Sequence, residues 1–273
     1  MKIAVILTCF NRKEKTENCI RNIVHGNPMH KFTFIVVDDQ SNDGTVEKMQ
    51  EMTREFDIHL LQSGGDAYYS GGMRIGMNYV LSKLKEHFEY VLLVNDDVSF
   101  CENSIEKIIE QSRNQKDAVV IGATCNDEGM LSYSAIKYTK GISYRKLNIT
   151  EWETEADTFN ANCVLIPYEF FVQTGCMDEY YIHSLGDFDY GLDLKRHGAI
   201  LHVSKEYVGV CNNNSITNTW VDTSLSMIER IRKKESVKGA PTRQWFYFLN
   251  KNFGFFTAVK KCITPYVKIL LKK

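Results

Sequence analysis

Two adjacent carboxylates, Asp96 and Asp97, follow a short apolar run at Tyr90–Val94 in this chain of 273 residues. A continuous apolar run bounded by polar residues is typical of a strand that is buried on both faces of a parallel sheet. Two unpaired carboxylates in the core would repel each other and lose their hydration, so we expect them at the exposed end of the strand. Their oxygens would suit a hard divalent cation, Mg²⁺ or Mn²⁺, which keeps positions open for substrate phosphates. A solvated loop is the simpler alternative.

Strand and helix patterns alternate four times before residue 100, which indicates a mostly parallel sheet with helices on both sides. The predicted strands are Ile3–Leu7, Phe32–Val37, Ile58–Leu61 and Tyr90–Val94. Ligands of such sheets bind outside the carboxyl ends of the strands and at helix N-termini. Polar segments fall at these positions, namely Thr8–Asn11, Asp38-Asp39, Gly71-Gly72 before the third helix, and Asn95-Asp96-Asp97. We therefore expect a nucleotide here, although the dinucleotide fingerprint and the Walker lysine are both missing from the sequence.

Charge is unevenly distributed along the chain, although the formal net charge is only −1. Residues 230–273 carry twelve Lys or Arg residues against one acid, Glu235, which gives +11, whereas residues 1–229 carry −12. The two ends of the chain are therefore expected to meet different partners. Eight cysteines lack any Cys-x-x-Cys pair, so reduced thiols in a cytosolic protein are expected.

Several stretches together resemble family 2 of the nucleotide-sugar glycosyltransferases, an inverting group with the GT-A fold. In the first half these are Ile3–Asn11, the Val-Asp-Asp-x-Ser-x-Asp-Gly-Thr pattern at 37–45, Gly71-Gly72 with Gly76, and Val94–Val98. In the second half they are Asn160–Pro167, Gly175–Glu179 and Gly186–Leu192. The chain departs from the family pattern twice, with Asn95 in place of the first acid of an Asp-x-Asp motif and Gly186 in place of a Glu.

The resemblance implies an α/β, Rossmann-like GT-A fold with a mostly parallel sheet flanked by helices. We predict a glycosyltransferase domain over residues 1–215, with a nucleotide-sugar half at about 1–100 and an acceptor half at about 101–215. Residues 216–273 are predicted to form a basic, helical C-terminal extension.

By position, the resemblance makes Asp187 the general base and the acid pair the cation site. Asp97 is the first choice as a ligand of Mg²⁺ or Mn²⁺, with Asp96 contacting the ribose, a metal-bound water or the metal itself. The amide of Asn95 could face the ribose or a metal-bound water. Asp189 is the rival base, and since two residues along a helix differ by about 200°, it cannot face the acceptor together with Asp187.

The remaining candidates divide into a donor side and an acceptor side. Asp38 is assigned to the edge of the nucleotide base, while Asp39 could instead cap the next helix. Thr8, Phe10 and Asn11 would line the base pocket with Gly71 and Gly72 close by, and Arg74 would bind the base or a phosphate, or else be an exposed helix residue. On the acceptor side we place Asp189, Asn162 and His183, although a lone histidine is more often a structural residue.

The resemblance favours an enzyme that moves a sugar from a UDP- or dTDP-activated donor to a hydroxyl of a surface polysaccharide or lipid-linked glycan. A sugar-1-phosphate nucleotidyltransferase is one alternative, but it would ordinarily need a glycine-rich loop after the first strand, and Thr8–Asn11 has no glycine. A non-catalytic nucleotide-sugar binding protein is the other.

The segment from Phe255 to Lys273 combines an apolar stripe with lysines, and Pro265 is expected to interrupt its helix. The stripe is Phe256, Val259, Ile263, Val267 and Leu270, and the lysines are Lys260, Lys261, Lys268, Lys272 and Lys273. We expect it to dock on the anionic inner face of the cell membrane, which makes the protein cytoplasmic and peripheral. Nucleic-acid binding is the competing use of the charge and is not expected; a solvated tail is the simplest alternative. No stretch reaches the roughly 20 apolar residues of a membrane-spanning helix.

Overall fold

A computed structural model describes residues 1–239 and 241–271 of the chain. The strands in this part are β1 Lys2–Cys9, β2 Lys31–Asp38, β3 Asp57–Gln62, β4 Tyr90–Val94, β5 Ser99–Phe100, β6 Val119–Cys125, β7 Leu131–Tyr133, β8 Ala135–Tyr138, β9 Tyr144–Lys146, β10 Thr158–Phe159, β11 Cys163–Pro167 and β12 Leu201–Val210. The helices are α1 Lys13–Gly26, α2 Thr45–Met52, α3 Tyr68–Ser82, α4 Ser104–Asn114, α5 Tyr168–Thr174, α6 Gly186–Arg196, α7 Met227–Glu235, α8 Thr242–Phe253 and α9 Phe255–Leu270.

One large sheet organises the molecule, in the order β3-β2-β1-β4-β11-β6-β12-β5, with β7 paired to β6. The four strands predicted from the first hundred residues are parallel neighbours, as expected. Strand β11 then runs antiparallel to both β4 and β6, so the complete sheet is mixed. Strands β10, β8 and β9 form a small second sheet. The predicted α/β class is confirmed.

Helices cover both faces of the sheet because each central strand is apolar on both sides. Met73 and Met77 of α3 pack with Ile6 and Leu93 on one face. On the other face, helices α1, α2 and α4 pack against the alternate residues of the same strands, such as Val5 and Leu92. The fully buried strand β4 therefore delivers the residues that follow it to the edge of the sheet.

Helix α3 begins five residues earlier than the glycine pair suggested, so Gly71 and Gly72 lie within its first turns. A Cβ atom on Gly72 would lie 2.4 Å from Thr8 Oγ1, and one on Gly76 would lie 2.5 Å from Ile6 Cγ2. The glycines thus allow α3 to lie directly on β1. This is a packing role for Gly72 and Gly76, whereas Gly71 and Gly72 were expected to lie close to the nucleotide.

The C-terminal segment packs against the helix that follows the second half of the sheet. Phe248 and Leu249 of α8 share a buried cluster with Tyr181, and Phe188 of α6 packs against it. Helix α9 continues through Pro265, contrary to expectation. Within the described residues no helix is long and apolar enough to cross a membrane. The division of the chain at residue 215 stays a prediction. Lys272 and Lys273, two of the lysines expected beside the apolar stripe, lie outside the described residues.

The contact between α3 and β1 predicts that Gly76→Ala destabilises the protein. Ile6 is fully buried, so its methyl group cannot move away freely, and overpacking of this kind costs about 1–3 kcal/mol. Urea denaturation should therefore show a lower midpoint for this variant. The matched control is Gly71→Ala on the same helix, where the nearest atom, Ala67 Cβ, is 3.4 Å from the added Cβ. An unchanged midpoint for Gly76→Ala would contradict the packing described here.

Candidate active site

A large cavity opens at the carboxyl ends of β1 and β4, with a volume of about 990 Å³. This is at the upper end of the range for ligand sites, which is roughly 300–1,000 Å³. The predicted site residues that line it are Thr8, Phe10, Asn11, Asp39, Asn95, Asp96, Asp97, Asn162, His183 and Asp187. Those that do not are Asp38, Gly71, Gly72, Arg74 and Asp189.

The acid pair after β4 is bound by an arginine that the sequence analysis missed. Arg12 Nη1 donates to Asp96 Oδ1 at 2.7 Å and to Asp97 Oδ2 at 3.0 Å. Asp96 is buried, and its other oxygen accepts a hydrogen bond from Thr16 Oγ1 at 3.1 Å. Burial raises the pKa of Asp96 above its ordinary value, and the neighbouring Arg12 opposes that rise. Asp97 is more open, with 21% of its side chain exposed.

These residues fit a divalent cation of the kind that needs few protein ligands. The described residues contain no group of three or more His, Cys, Asp or Glu side chains arranged to hold a metal. Mg²⁺ in phosphate-transfer and related sites typically takes one or two carboxylates and fills its other positions with waters and substrate phosphates. Asp97, assisted by Asp96, meets this requirement because both line the cavity.

Asp187 lies in the first turn of α6 and lines the same cavity as the acid pair. Its Oδ1 accepts from the Phe188 backbone N–H at 2.9 Å, and its Oδ2 accepts from that of Ala161 at 3.3 Å. Burial raises the pKa of Asp187 to about 6, and these hydrogen bonds oppose the rise. A carboxylate with a pKa near the working pH is suited to accept a proton during a reaction.

Asp189 points away from the cavity and is held by the C-terminal segment. It is fully buried, with Oδ2 2.6 Å from Lys251 Nζ and Oδ1 2.8 Å from Asn252 Nδ2. Its carboxylate is therefore committed to two residues of α8. The rival assignment of Asp189 as the base, and its place on the acceptor side, do not agree with this geometry.

The two acids that end β2 have different surroundings. Asp38 is fully buried, and its Oδ2 accepts from the Ser41 backbone N–H at 2.9 Å, so it fixes the turn and cannot meet a nucleotide base as expected. Asp39 reaches the cavity and also accepts from the backbone N–H groups of Ala67 at 3.1 Å and Tyr68 at 2.8 Å. Asp39 therefore caps α3, whereas the sequence analysis considered it as a cap for α2.

Arg74 also has a structural position, because its Nη1 donates to the backbone carbonyls of Tyr181 at 3.0 Å and Asp178 at 3.3 Å. It fixes the segment that leads to α6. The predicted contact with a base or phosphate does not occur at this position, since Arg74 does not line the cavity.

His183 and Asn162 both lie on the wall of the cavity. Burial lowers the pKa of His183 to about 4, so its imidazole is neutral at physiological pH. The backbone carbonyl of Asn162 accepts from the Asn95 N–H at 3.1 Å. Its side chain lies 3.5 Å from Cys211 Sγ, which in turn is 3.6 Å from Asp97 Oδ1. All eight cysteines are free thiols, as expected.

Several cavity residues come from parts of the chain that carried no site signal in the sequence. The C-terminal segment contributes Lys238, Trp245 and Phe248, and the second sheet contributes Tyr138 and Tyr144. Tyr144 packs edge-on against Phe188 at 5.7 Å between ring centroids. The basic extension thus completes one wall of the cavity. The run of aromatic residues at 245–248 was the one available sequence signal.

Comparison with known proteins agrees with this geometry. The sequence model of the family described as Glycosyl transferase family 2 matches residues 4–171 of this chain. The low-salt glycan biosynthesis hexosyltransferase Agl10 of Haloferax volcanii is 22% identical over 232 residues, which cover 81% of this chain and 71% of Agl10.

Two solved structures share the fold at low sequence identity. S. aureus TarS 1–349 in complex with UDP-GlcNAc has a TM-score of 0.61 at 12% identity, covering 97% of this chain and 82% of TarS 1–349. The mannosyltransferase PcManGT from Pyrobaculum calidifontis, in complex with GDP-Man and Mn²⁺, has a TM-score of 0.58 at 12% identity. The match covers 98% of this chain and 74% of PcManGT. Because the family match spans more than half of the chain and the fold agrees, this protein belongs to glycosyl transferase family 2 and is a glycosyltransferase.

Proposed function

We propose that this glycosyltransferase moves a sugar from a UDP- or dTDP-sugar to a hydroxyl group of a polysaccharide or lipid-linked glycan, inverting the anomeric centre in a single displacement. The observation that carries the proposal is that one cavity is lined both by the acid pair Asp96-Asp97 and by Asp187. A single displacement needs a diphosphate site and a base facing one reaction centre, because donor and acceptor react directly. The nucleotide-sugar complexes of TarS and PcManGT support a donor of this class.

Asp187 would act as the base that removes the proton from the acceptor hydroxyl. Its pKa near 6 leaves it ionised at neutral pH yet more basic than an ordinary carboxylate. Asp97 and Asp96 would hold the divalent cation, which supplies charge neutralisation to the departing diphosphate. The Mn²⁺ in PcManGT supports this choice of cofactor.

The donor would lie over the ends of β1 and β4. Phe10 is 52% exposed within a polar surrounding, so its ring is available to stack on the nucleotide base. Asp39 takes over the role expected of Asp38 at the edge of the base, with Thr8 and Asn11 completing the pocket. Asn95 would face the ribose.

The acceptor would lie on the opposite wall, which is rich in aromatic side chains. Tyr144 and Trp245 give flat apolar surfaces beside Asp187, and sugar rings can pack on such surfaces. Asn162 and His183 provide polar groups between the acceptor and donor sides.

We further propose that helix α9 docks the enzyme on the anionic inner face of the cell membrane. One face of the helix is buried through Ala258, Cys262 and Ile269. The opposite face exposes its apolar stripe, with exposed fractions of 89% for Phe256 and 56% for Ile263. The exposed Lys260 and Lys268 and the half-buried Lys261 accompany this stripe. Basic residues near an anionic bilayer contribute about 1 kcal/mol each, and the stripe adds its burial in the interface.

Asp187→Asn is expected to lower sugar transfer by about 10²–10⁴-fold while leaving UDP affinity unchanged, because it removes the base without altering its shape. In the wild type, kcat should fall as the pH drops through about 6, since protonation removes the base. A UDP-release assay over a panel of UDP- and dTDP-sugars with glycan acceptors measures the rate, and calorimetry measures affinity. Asp117→Asn, which changes an exposed acid outside the cavity, is the control. Transfer that persists in Asp187→Asn would contradict the assignment of the base.

Asp97→Asn is expected to abolish the metal-dependent part of nucleotide binding. A ligand that binds the native state raises the melting temperature, so UDP with Mn²⁺ should stabilise the wild type more than UDP with EDTA. The difference should disappear in Asp97→Asn and persist in Asp117→Asn, which changes an exposed acid outside the cavity. An equal Mn²⁺ effect in both variants would show that the acid pair does not hold the cation.

The double variant Phe256→Glu, Ile263→Glu is expected to lose at least about 90% of its binding to vesicles that contain phosphatidylglycerol, since it places acids on the membrane-facing stripe. Flotation of the full chain measures the bound fraction, with pure phosphatidylcholine vesicles giving little binding. The matched control, Met29→Glu with Met130→Glu, changes two exposed methionines elsewhere and should bind like the wild type. Binding that survives in the helix variant, or retention by duplex DNA instead of vesicles, would overturn this placement.

A further inference from the structure

Arg12 contacts the acid pair and is also exposed to the cavity, which a purely structural role would not require. One nitrogen, Nη1, makes both contacts with the acid pair, at 2.7 Å to Asp96 and 3.0 Å to Asp97. The side chain is nevertheless 40% exposed and lines the cavity. A guanidinium has five N–H donors in a rigid fork that matches phosphate oxygens. Its other donors are therefore available to a ligand in the cavity.

The charges around Arg12 conflict with the simple view of a cation site made by two free carboxylates. Asp96 is almost fully buried, so it needs Arg12 as its counter-ion. Asp97 Oδ2 is the oxygen that Arg12 also contacts. A divalent cation on Asp97 would thus compete with Arg12 for the same carboxylate and would be repelled by the guanidinium charge.

We infer that Arg12 is a diphosphate-binding residue that shares Asp97 with the divalent cation. In the free protein it contacts both carboxylates. When a nucleoside diphosphate binds, Arg12 keeps its bond to Asp96 and donates from its free nitrogens to phosphate oxygens, which releases Asp97 to the cation. This inference rests on the proposed function, because it assumes a nucleoside diphosphate in the cavity.

This arrangement has two consequences with opposite signs. Removal of the Arg12 charge should strengthen cation binding in the absence of nucleotide, because a competitor for Asp97 is lost. The same change should weaken nucleotide binding in the absence of metal, because a charge-assisted contact to the diphosphate is lost. If Arg12 only held the loop together, its removal would lower both the cation affinity and the nucleotide affinity.

The test compares Arg12→Gln with the wild type in two binding measurements on the full chain. Electron paramagnetic resonance of free Mn²⁺ gives the cation affinity without nucleotide, and we expect Arg12→Gln to raise it at least about tenfold. Calorimetry with UDP in EDTA gives the metal-free nucleotide affinity, and we expect it to fall about 10- to 100-fold, as for loss of a hydrogen bond to a charged group. Arg21→Gln, on the same helix but in surface ion pairs with Glu17 and Glu55, should change neither.

A lower Mn²⁺ affinity in Arg12→Gln, or an unchanged UDP affinity in EDTA, would overturn the inference. If circular dichroism shows that Arg12→Gln does not fold, Arg12→Lys decides, since it keeps the charge and loses the fork. It should then bind Mn²⁺ like the wild type and UDP in EDTA more weakly, and wild-type UDP affinity would refute the diphosphate contact. A wild type that binds UDP only with Mn²⁺ would also refute it while leaving the proposed function intact. Failure to bind any nucleotide under both conditions would count against the proposed function itself.

Discussion

The buried negative charge of Asp96 is the constraint on which the active site depends. Strand β4 is covered on both faces, so the carboxylate that follows it is removed from water at the edge of the core. An unpaired charge in such a place would cost several kcal/mol, and Arg12 with Thr16 supplies the compensation. Both partners lie at the start of α1, so the same contacts fix that helix against the end of β4. The geometry of the cavity floor follows from this one neutralised charge.

The first half of the fold could be predicted from the sequence because its strands are continuous apolar runs. Period-two geometry could also have separated Asp38 from Asp39. Phe34 and Val36 face the cluster that includes α1, and Asp38 continues that series into the covered face. Asp39 lies beyond the last paired residue of β2 and turns toward the cavity. Gly72 was misleading because a glycine permits close packing of a helix on a strand as readily as it permits the close approach of a ligand.

Long-range partners could not be predicted from one sequence. Arg12 and the acid pair are more than eighty residues apart, and neither carries a spacing that points to the other. The basic C-terminal segment resembled a separate attachment because its charge stood out from the rest. Part of that charge is neutralised internally, as Lys251 contacts Asp178, Asp189 and Asp193. Part of the charge asymmetry therefore reflects ion pairs within the folded chain, whereas the exposed lysines of α9 remain available to a partner.

Helix α6 shows how this folding contact bears on the chemistry. Its two acids point in nearly opposite directions, Asp187 into the cavity and Asp189 into α8. Because Asp189 is held by Lys251 and Asn252, the rotation of the helix about its axis is fixed from behind. That rotation decides where the Asp187 carboxylate lies relative to the acid pair. The C-terminal segment, which is distant in sequence from every predicted catalytic residue, thereby positions Asp187 and supplies aromatic residues to the same cavity. The feature that the sequence marked as a peripheral extension is thus part of the cavity wall.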